Sequence, residues 1–350
     1  MTTMRYKLLG RSGLRVSELA LGTMTFGQDW GWGASQQESQ KIFDAYVQAG
    51  GNFIDTAVNY TNGSSEQFVG EFIKSDRDYF VVATKYSLRD NHTNKTDPNA
   101  GGNQRKNMLR AVETSLKNMG TDYIDLYYLH MWDFMTPLEE IMRGLDDLVR
   151  SGKVRYVGIS DTPAWVISKA NLLAELRGWP PFVATQFPYS LASRDPERAI
   201  IPMARTEDIA MTVWGILGGG VLTGKYRDEN ATTRYDEASE ERMKLADTLV
   251  EMAETTGTTP SQIAINWVRQ RPGSGAPIIP ILGARNLTQL QDNLGALDFS
   301  LTQAQIAELE EHSPIKLGFP YDFLTSGGVR NLVFGDTFDE IDNHRNILWK

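Results

Sequence analysis

Short apolar runs recur along the chain, and between them the apolar positions fall three and four residues apart. The runs are ELALG (18–22), NFIDTA (52–57), YFVVATK (79–85), YIDLYYLH (123–130), VRYVGIS (154–160), FVATQF (182–187), IAMTVWGIL (209–217) and PIIPIL (277–282). Each predicts a buried strand. The intervening segments predict amphipathic helices. In SQQESQKIFDAYVQAGG, Ile42, Phe43, Tyr46 and Val47 share a face, and Gly50 and Gly51 supply the stop. In NMLRAVETSLKNMG the face is Leu109, Val112, Leu116 and Met119, ended by Gly120. PLEEIMRGLDDLVRSGK and NLTQLQDNLGAL repeat the pattern. TPSQIAINWVRQ adds a helix opened by Thr259 and Pro260, and TQAQIAELEEH adds another after residue 300.

Strand and helix alternating eight times predict parallel strands joined by right-handed crossovers. Eight units in one chain point to an α/β fold, a closed (β/α)8 TIM barrel, rather than to an open sheet. Ahead of them, two short alternating runs flank Gly10–Gly13 and predict a β-hairpin over 4–17 that plugs the N-terminal mouth. The chain therefore divides, as one domain over 1–350, into hairpin (4–17), barrel (18–300) and a C-terminal helix with an irregular Gly/Pro/aromatic tail (301–350).

Composition narrows the function. The net charge of −9 argues against a nucleic-acid partner bound through phosphate neutralisation. The absence of cysteine excludes disulfides, thiolate zinc sites, iron–sulfur clusters and thiol nucleophiles. The histidines, at 92, 130, 312 and 344, are too scattered to suggest a metal site. MTTMRYKLLGRSG lacks a signal-peptide core, and no apolar run reaches membrane-spanning length, so the expectation is a cytoplasmic protein without a membrane partner.

In a barrel of this kind, active sites sit at the C-terminal strand ends. Those ends carry Asp55 with Tyr60 just beyond, then Lys85, His130, Ser160 with Asp161, Gln186, Trp214, and Gly283 with Arg285. Singly, Lys85 reads as a salt-bridge partner, His130 as a structural histidine and Tyr60 as a packed aromatic. Together they read as one proton-donating group. A tyrosine that gives a proton to a carbonyl oxygen needs its pKa of about 10 brought toward working pH. An ammonium at Lys85 would lower it, Asp55 would hold that ammonium charged, and His130 would donate a hydrogen bond to the carbonyl. A proton donor of this kind needs a hydride donor. GILGGG follows a strand, but no G-x-G-x-x-G opens a helix there, so a Rossmann site is not indicated.

Over about residues 4–320 the chain resembles the aldo-keto reductase superfamily. The motifs that carry the resemblance are LGTMTFG, NFIDTAVNY with SSEQFVGEFI, ATKYS, DYIDLYYLHMWD, GKVRYVGISD, QFPYS, VWGILGGGVLTGKY and PILGARNLTQLQDNLGAL. The family's Asp, Tyr, Lys and His tetrad falls on Asp55, Tyr60, Lys85 and His130. The resemblance implies NADP(H) bound in extended form, with Gly22, Thr23, Met24 and Asp55 beside it. Ser160, Asp161 and Gln186 would bond the nicotinamide carboxamide, and Trp214 would stack on the ring. The loop 215–225, through Gly215, Ile216, Leu217, Gly219, Gly224 and Lys225, would wrap the pyrophosphate. Gly283, Arg285, Gln289, Asp292 and Asn293 would hold the adenosine end. The helix starting near Asn286 would offer its N-terminus to the 2′-phosphate, with Arg285 adding charge, which favours NADP over NAD.

Two positions depart from the family pattern. Asp161 stands where members usually carry Asn, and Trp214 where many carry Tyr. The Trp, with GARNLTQLQDN, resembles the branch of aryl-alcohol dehydrogenases and potassium-channel β-subunits. Trp30, Trp32, Tyr86, Trp132, Tyr189, Phe319 and Tyr321 are the candidates to line a pocket for an aromatic or apolar carbonyl. The polar segments 91–106 and 226–242 read as loops, the second placed to fold over the cofactor. The implied activity is NADPH-dependent reduction of a small-molecule aldehyde or ketone, by a monomer or a homo-oligomer. The alternative is a cofactor-sensing protein of the channel β-subunit type. A metal-dependent hydrolase using Asp55 and His130 would need more convergent ligands than this sequence offers.

Overall fold

A computed structural model describes residues 4–89, 96–227, 239–271 and 276–342. The hairpin is present as β1 (Tyr6–Leu8) and β2 (Arg15–Ser17), antiparallel with Tyr6 opposite Ser17. Eight parallel strands follow: β3 (Ala20–Gly22), β4 (Phe53–Asp55), β5 (Val81–Tyr86), β6 (Ile124–Leu129), β7 (Val154–Ser160), β8 (Phe182–Pro188), β9 (Ala210–Trp214) and β10 (Ile278–Gly283). They pair in chain order, and β10 closes on β3 with Gly283 beside Gly22. The expected (β/α)8 barrel is the fold.

Helices cover the outside: α1 (Gln36–Gln48), α2 (Ser64–Ile73), α3 (Arg105–Met119), α4 (Leu138–Arg150), α5 (Ala164–Arg177), α6 (Ile200–Thr206), α7 (Glu240–Thr256), α8 (Pro260–Arg269), α9 (Leu287–Leu294) and α10 (Gln303–Glu311). Their starts follow the chemistry read from the sequence. Ser35 caps α1 by accepting from the Glu38 amide, and Thr259 caps α8 ahead of Pro260. Thr302 and Gln305 form a reciprocal capping box at α10.

Three expectations need correction. Leu109 was placed on the buried face of its helix, but that face is Met108, Ala111, Val112, Ser115 and Met119, and Leu109 is exposed. The helix begins at Arg105, and Val112 and Met119 lie on its buried face as expected, with Met108 in place of Leu109. The strand expected to reach residue 217 stops at Trp214, where Gly215 turns with φ +70°. The tail is not irregular throughout: it holds α11 (Tyr321–Leu324), α12 (Gly327–Phe334) and a 3-10 turn over Gly335–Glu340. Among the described residues no helix is long and apolar enough to cross a membrane.

The hairpin closes one end of the barrel. Leu9 and Val16 are fully buried in the same cluster as the strand residues Phe53, Val81, Leu126, Ala210 and Ile279. Lys7 donates to the Ile278 carbonyl at 2.8 Å, and the Arg11 amide to the Asp208 carbonyl at 2.7 Å. Gly10 makes this fit possible. Its φ is +56°, and a Cβ there would lie 2.4 Å from the Val183 oxygen and 2.6 Å from the Asp208 oxygen. Both neighbours are backbone and cannot swing aside. Gly10→Ala is therefore expected to lower stability by on the order of 2–3 kcal/mol, read as a lower urea midpoint. A midpoint equal to that of the parent would show that the hairpin does not hold the barrel.

Candidate active site

The two-residue period of the strands decides which side chains meet at the open mouth. Phe53, Ala83, Leu126, Tyr128, Ala184 and Ala210 all belong to the cluster inside the barrel. Two residues further along the same strands come Asp55, Lys85, Tyr128 again and His130, Gln186 and Thr212. An apolar interior therefore gives way to a polar layer at the mouth. Gly158 makes room for it, since a Cβ there would lie 2.5 Å from the Tyr128 ring.

The four residues read as a group do meet. Lys85 is fully buried, and its Nζ donates to Asp55 Oδ1 at 2.5 Å, the Thr56 carbonyl at 2.8 Å and the Tyr60 hydroxyl at 3.4 Å. Tyr60 opens a 3-10 turn after β4 and is half-buried. The His130 ring stands edge-on to Tyr60, with centroids 6.0 Å apart. Its amide donates to Ser87 Oγ at 3.1 Å and to the Tyr86 carbonyl at 3.0 Å, which fixes the backbone that carries the ring.

Electrostatics assign each group a state. Burial, reinforced by the Lys85 charge, pushes His130 down to about 3, so its imidazole is neutral at pH 7. Burial opposes the Lys85 ammonium, but Asp55 and Tyr60 outweigh it and the pKa rises. Tyr60 corrects an expectation. Lys85 does pull its pKa down, yet burial and the Asp55 charge are stronger, and the phenol ends above its ordinary value. Burial is the larger cause, and the Asp55 charge adds to it.

Thr212, Tyr128 and Asn103 complete the layer without having been singled out in the sequence. Asp55 Oδ2 accepts from Gln186 Nε2 at 2.8 Å, and Gln186 also reaches Thr212 at 3.4 Å. The Tyr128 hydroxyl lies 2.9 Å from Thr212 Oγ1. Asn103 donates to Ser87 Oγ at 2.9 Å and to the Met131 carbonyl at 2.7 Å, bracing the His130 segment. Tyr128 was legible in principle, being two residues before His130 on one strand. Asn103 reaches the site from the loop before α3, and nothing in its spacing signals that.

The cofactor positions divide into groups with spare hydrogen-bonding capacity and groups already engaged. The buried Ser160 Oγ, Asn59 Oδ1 and His130 Nδ1 have no hydrogen-bond partner. Trp214 is 42% exposed, leaving ring surface open to a ligand. The turn after it runs through Gly218, Gly219 and Gly220, all at positive φ. Unpartnered polar atoms, an open indole and a side-chain-free turn on one mouth fit a dinucleotide such as NADP(H). Thr23, by contrast, gives its hydroxyl to the Asp55 carbonyl at 3.0 Å. Asp292 Oδ1 accepts from Thr259 at 2.8 Å and from Gln262 at 3.1 Å, which ties α9 to α8. Asn293 bonds the Gly283 carbonyl at 3.3 Å, and Gln289 accepts from the Arg285 amide at 2.9 Å. The N-terminus of α9 is also less open than the sequence implied. Its Leu287 amide donates to Glu38 at 2.8 Å and its Gln289 amide to the cap Asn286 at 2.9 Å.

The pocket candidates divide too. Trp30 lies edge-on to Tyr60 at 6.4 Å and 5.6 Å from Trp32, on the site itself. Trp132 is half-buried against the core and edge-on to Phe134. Tyr86 is wholly buried, stacked on Tyr127 at 5.3 Å, because its place in β5 turns it outward under α3. Tyr189 is buried against Trp267 with its hydroxyl on Glu197. Neither lines a pocket. Phe319 is 86% exposed and packs on Phe323, and its neighbour Tyr321 lies in the same tail helix. The part of the 226–242 loop expected over the cofactor, and the start of the 91–106 loop, lie outside the described residues.

Asp161 sits at φ +42° with its amide donating to the Gln186 carbonyl at 3.0 Å, and Lys85 and Trp214 both favour its carboxylate form.

Comparison with known proteins agrees with the geometry. A sequence model of the Aldo/keto reductase family matches residues 18–314. The chain is 38% identical over 327 residues to a norsolorinic acid reductase of Aspergillus flavus, covering 91% of this chain and 83% of that protein. It is 40% identical over 337 residues to norsolorinic acid reductase B of Dothistroma septosporum, covering 93% and 85%. It is 38% identical over 344 residues to an aryl-alcohol dehydrogenase (NADP+) of Phanerodontia chrysosporium, covering 92% and 89%.

The Asp161 environment generates a pH prediction. Burial pushes its carboxyl up to about 6, against the pull of Lys85 and the Trp214 bond. The folded state thus holds this proton more tightly than the unfolded chain does. The stability it contributes is full below the ordinary Asp range and is lost as pH rises through about 6. Asp161→Asn keeps the shape of the side chain, tolerates the left-handed backbone and carries no charge. It is expected to melt higher than the parent at pH 7, with the difference vanishing below about pH 4. An equal gain at both pH values would mean that the carboxyl is not the cause.

Proposed function

The chain belongs to the aldo/keto reductase family and is an oxidoreductase, and on that premise we propose that it reduces aldehydes or ketones with NADPH as its coenzyme. When bound, NADPH supplies the hydride that goes to the carbonyl carbon. The observation that carries the reading is the Lys85 ammonium, 2.5 Å from Asp55 and 3.4 Å from the Tyr60 hydroxyl, with His130 edge-on beside it.

Each side chain then has a task set by its surroundings. Tyr60 is protonated at neutral pH and holds the proton that a carbonyl oxygen needs as it gains negative charge. Its raised pKa does not prevent this, because a developing alkoxide is a stronger base than a phenolate. Lys85 stabilises the phenolate left behind, and Asp55 keeps Lys85 charged. His130, neutral, donates a hydrogen bond toward the carbonyl oxygen without competing for the proton. Ser160, with its unpartnered hydroxyl, and Asp161 would hold the nicotinamide carboxamide. Trp214 would cover one face of that ring. The glycine turn would take the pyrophosphate, and Arg285 the 2′-phosphate.

Trp30 beside Tyr60 gives the substrate space an aromatic wall. Relatives named for aryl alcohols support the same substrate class, an aromatic carbonyl.

Tyr60→Phe separates chemistry from binding. It is expected to leave the NADPH dissociation constant within about twofold while lowering turnover of an aromatic aldehyde by roughly 10²–10⁴. Full turnover in the variant would remove Tyr60 as the proton donor. A parent protein that bound neither NADPH nor NADH would overturn the reductase reading itself.

A further inference from the structure

The loop between β3 and α1 carries Trp30 and Trp32 and is pinned at its base. Gly27 donates to the Ala34 carbonyl at 2.9 Å and Ala34 to the Thr25 carbonyl at 2.7 Å. A Cβ at Gly33 would lie 2.1 Å from the Gly27 oxygen, so the two sides of the loop are in direct contact. Inside the loop, Trp30 donates its indole N–H to Asn62 Oδ1 at 3.1 Å, and Trp32 packs on Trp30 at 5.6 Å. Trp32 is therefore held by a neighbour that is itself fixed.

Trp32 has one further contact. The Arg285 guanidinium lies over its ring, 5.5 Å from the centroid. Among the described residues, Arg285 is in no ion pair. The nearest helix amide, that of Leu287, is already engaged by Glu38. Recognition of a phosphate here therefore falls to the guanidinium more than to the helix. A guanidinium presents its donors around its edge and its flat face to aromatic rings, so one arginine can do both at once. Stacked on an indole, it loses less freedom when its edge closes on a phosphate.

We propose that Trp32 is a coenzyme-specificity residue: it holds Arg285 flat, with its donor edge free for the 2′-phosphate of NADPH. Trp32 touches no reacting atom in this role and acts through Arg285. The proposal rests on the NADPH reading above and deepens it, by adding a positioning residue from the loop after β3, the strand that pairs with β10 ahead of Arg285. Trp30 remains on the substrate side, beside Tyr60.

The test compares dissociation constants for NADPH and NADH by titration calorimetry, which does not depend on the fluorescence of the altered tryptophan. Trp32→Ala is expected to raise the NADPH constant about two- to fivefold and to leave NADH unchanged. Trp32→Phe, which keeps a ring, should recover part of the loss and also covers the case of an alanine variant that does not fold. Arg285→Ala should abolish the preference for NADPH, and adding Trp32→Ala to it should change nothing more. Equal weakening of NADPH and NADH by Trp32→Ala would mark Trp32 as merely structural and overturn the proposal. So would no change in either. Failure of the parent to bind NADPH would be a different result, removing the functional reading first and this inference with it.

Discussion

One buried ion pair organises the mouth of this barrel. Lys85 Nζ and Asp55 Oδ1 stand 2.5 Å apart, both side chains nearly inaccessible to water. Taking two charges out of water costs several kcal/mol each, and their attraction offsets this only when the remaining donors and acceptors are also satisfied. Here they are. Lys85 also bonds the Thr56 carbonyl and Tyr60, and the second Asp55 oxygen takes the Gln186 amide. Removing either partner would leave a charge buried alone, a change on the order of 3–5 kcal/mol. The pair exists because adjacent strands β4 and β5 are in register, with Asp55 opposite Ala83, so that Lys85 stands two residues up on the same inner face.

Burial sets the states of its two neighbours. An ammonium left alone beside a phenol would lower its pKa. Burial of the phenol outweighs that pull, the Asp55 charge adds to it, and Tyr60 stays a protonated phenol. His130 feels the same environment in the opposite sense, with burial and the nearby positive charge both favouring its neutral form. Burial and charge together thus leave a protonated phenol and a neutral imidazole side by side.

Much of this was legible in the sequence because strand periodicity is a strong signal. Asp55, Lys85, His130, Ser160 and Gln186 each end an apolar run, and a closed barrel leaves such residues one place to go. The hairpin was equally plain, since Gly10 is bracketed by alternating runs. What could not be read were contacts made across long separations. Tyr86 sits one residue after Lys85 and so faces away from it, a parity that the strand boundary alone decides. Tyr189 lies beyond its strand and turns into the core against Trp267. Asn103 and Glu38 act from loop and helix positions whose partners, Ser87 and Leu287, are fixed only by the packing of whole elements. Asp292 is another such case, since its bonds to Thr259 and Gln262 depend on the meeting of α8 and α9.

The hairpin has a consequence for traffic. With Leu9 and Val16 seated in the apolar cluster at the lower end, the barrel is stoppered there. Water and solutes therefore meet the polar layer across the opposite rim. A few residues at the closed end, remote from that layer, thereby give the barrel a single working face.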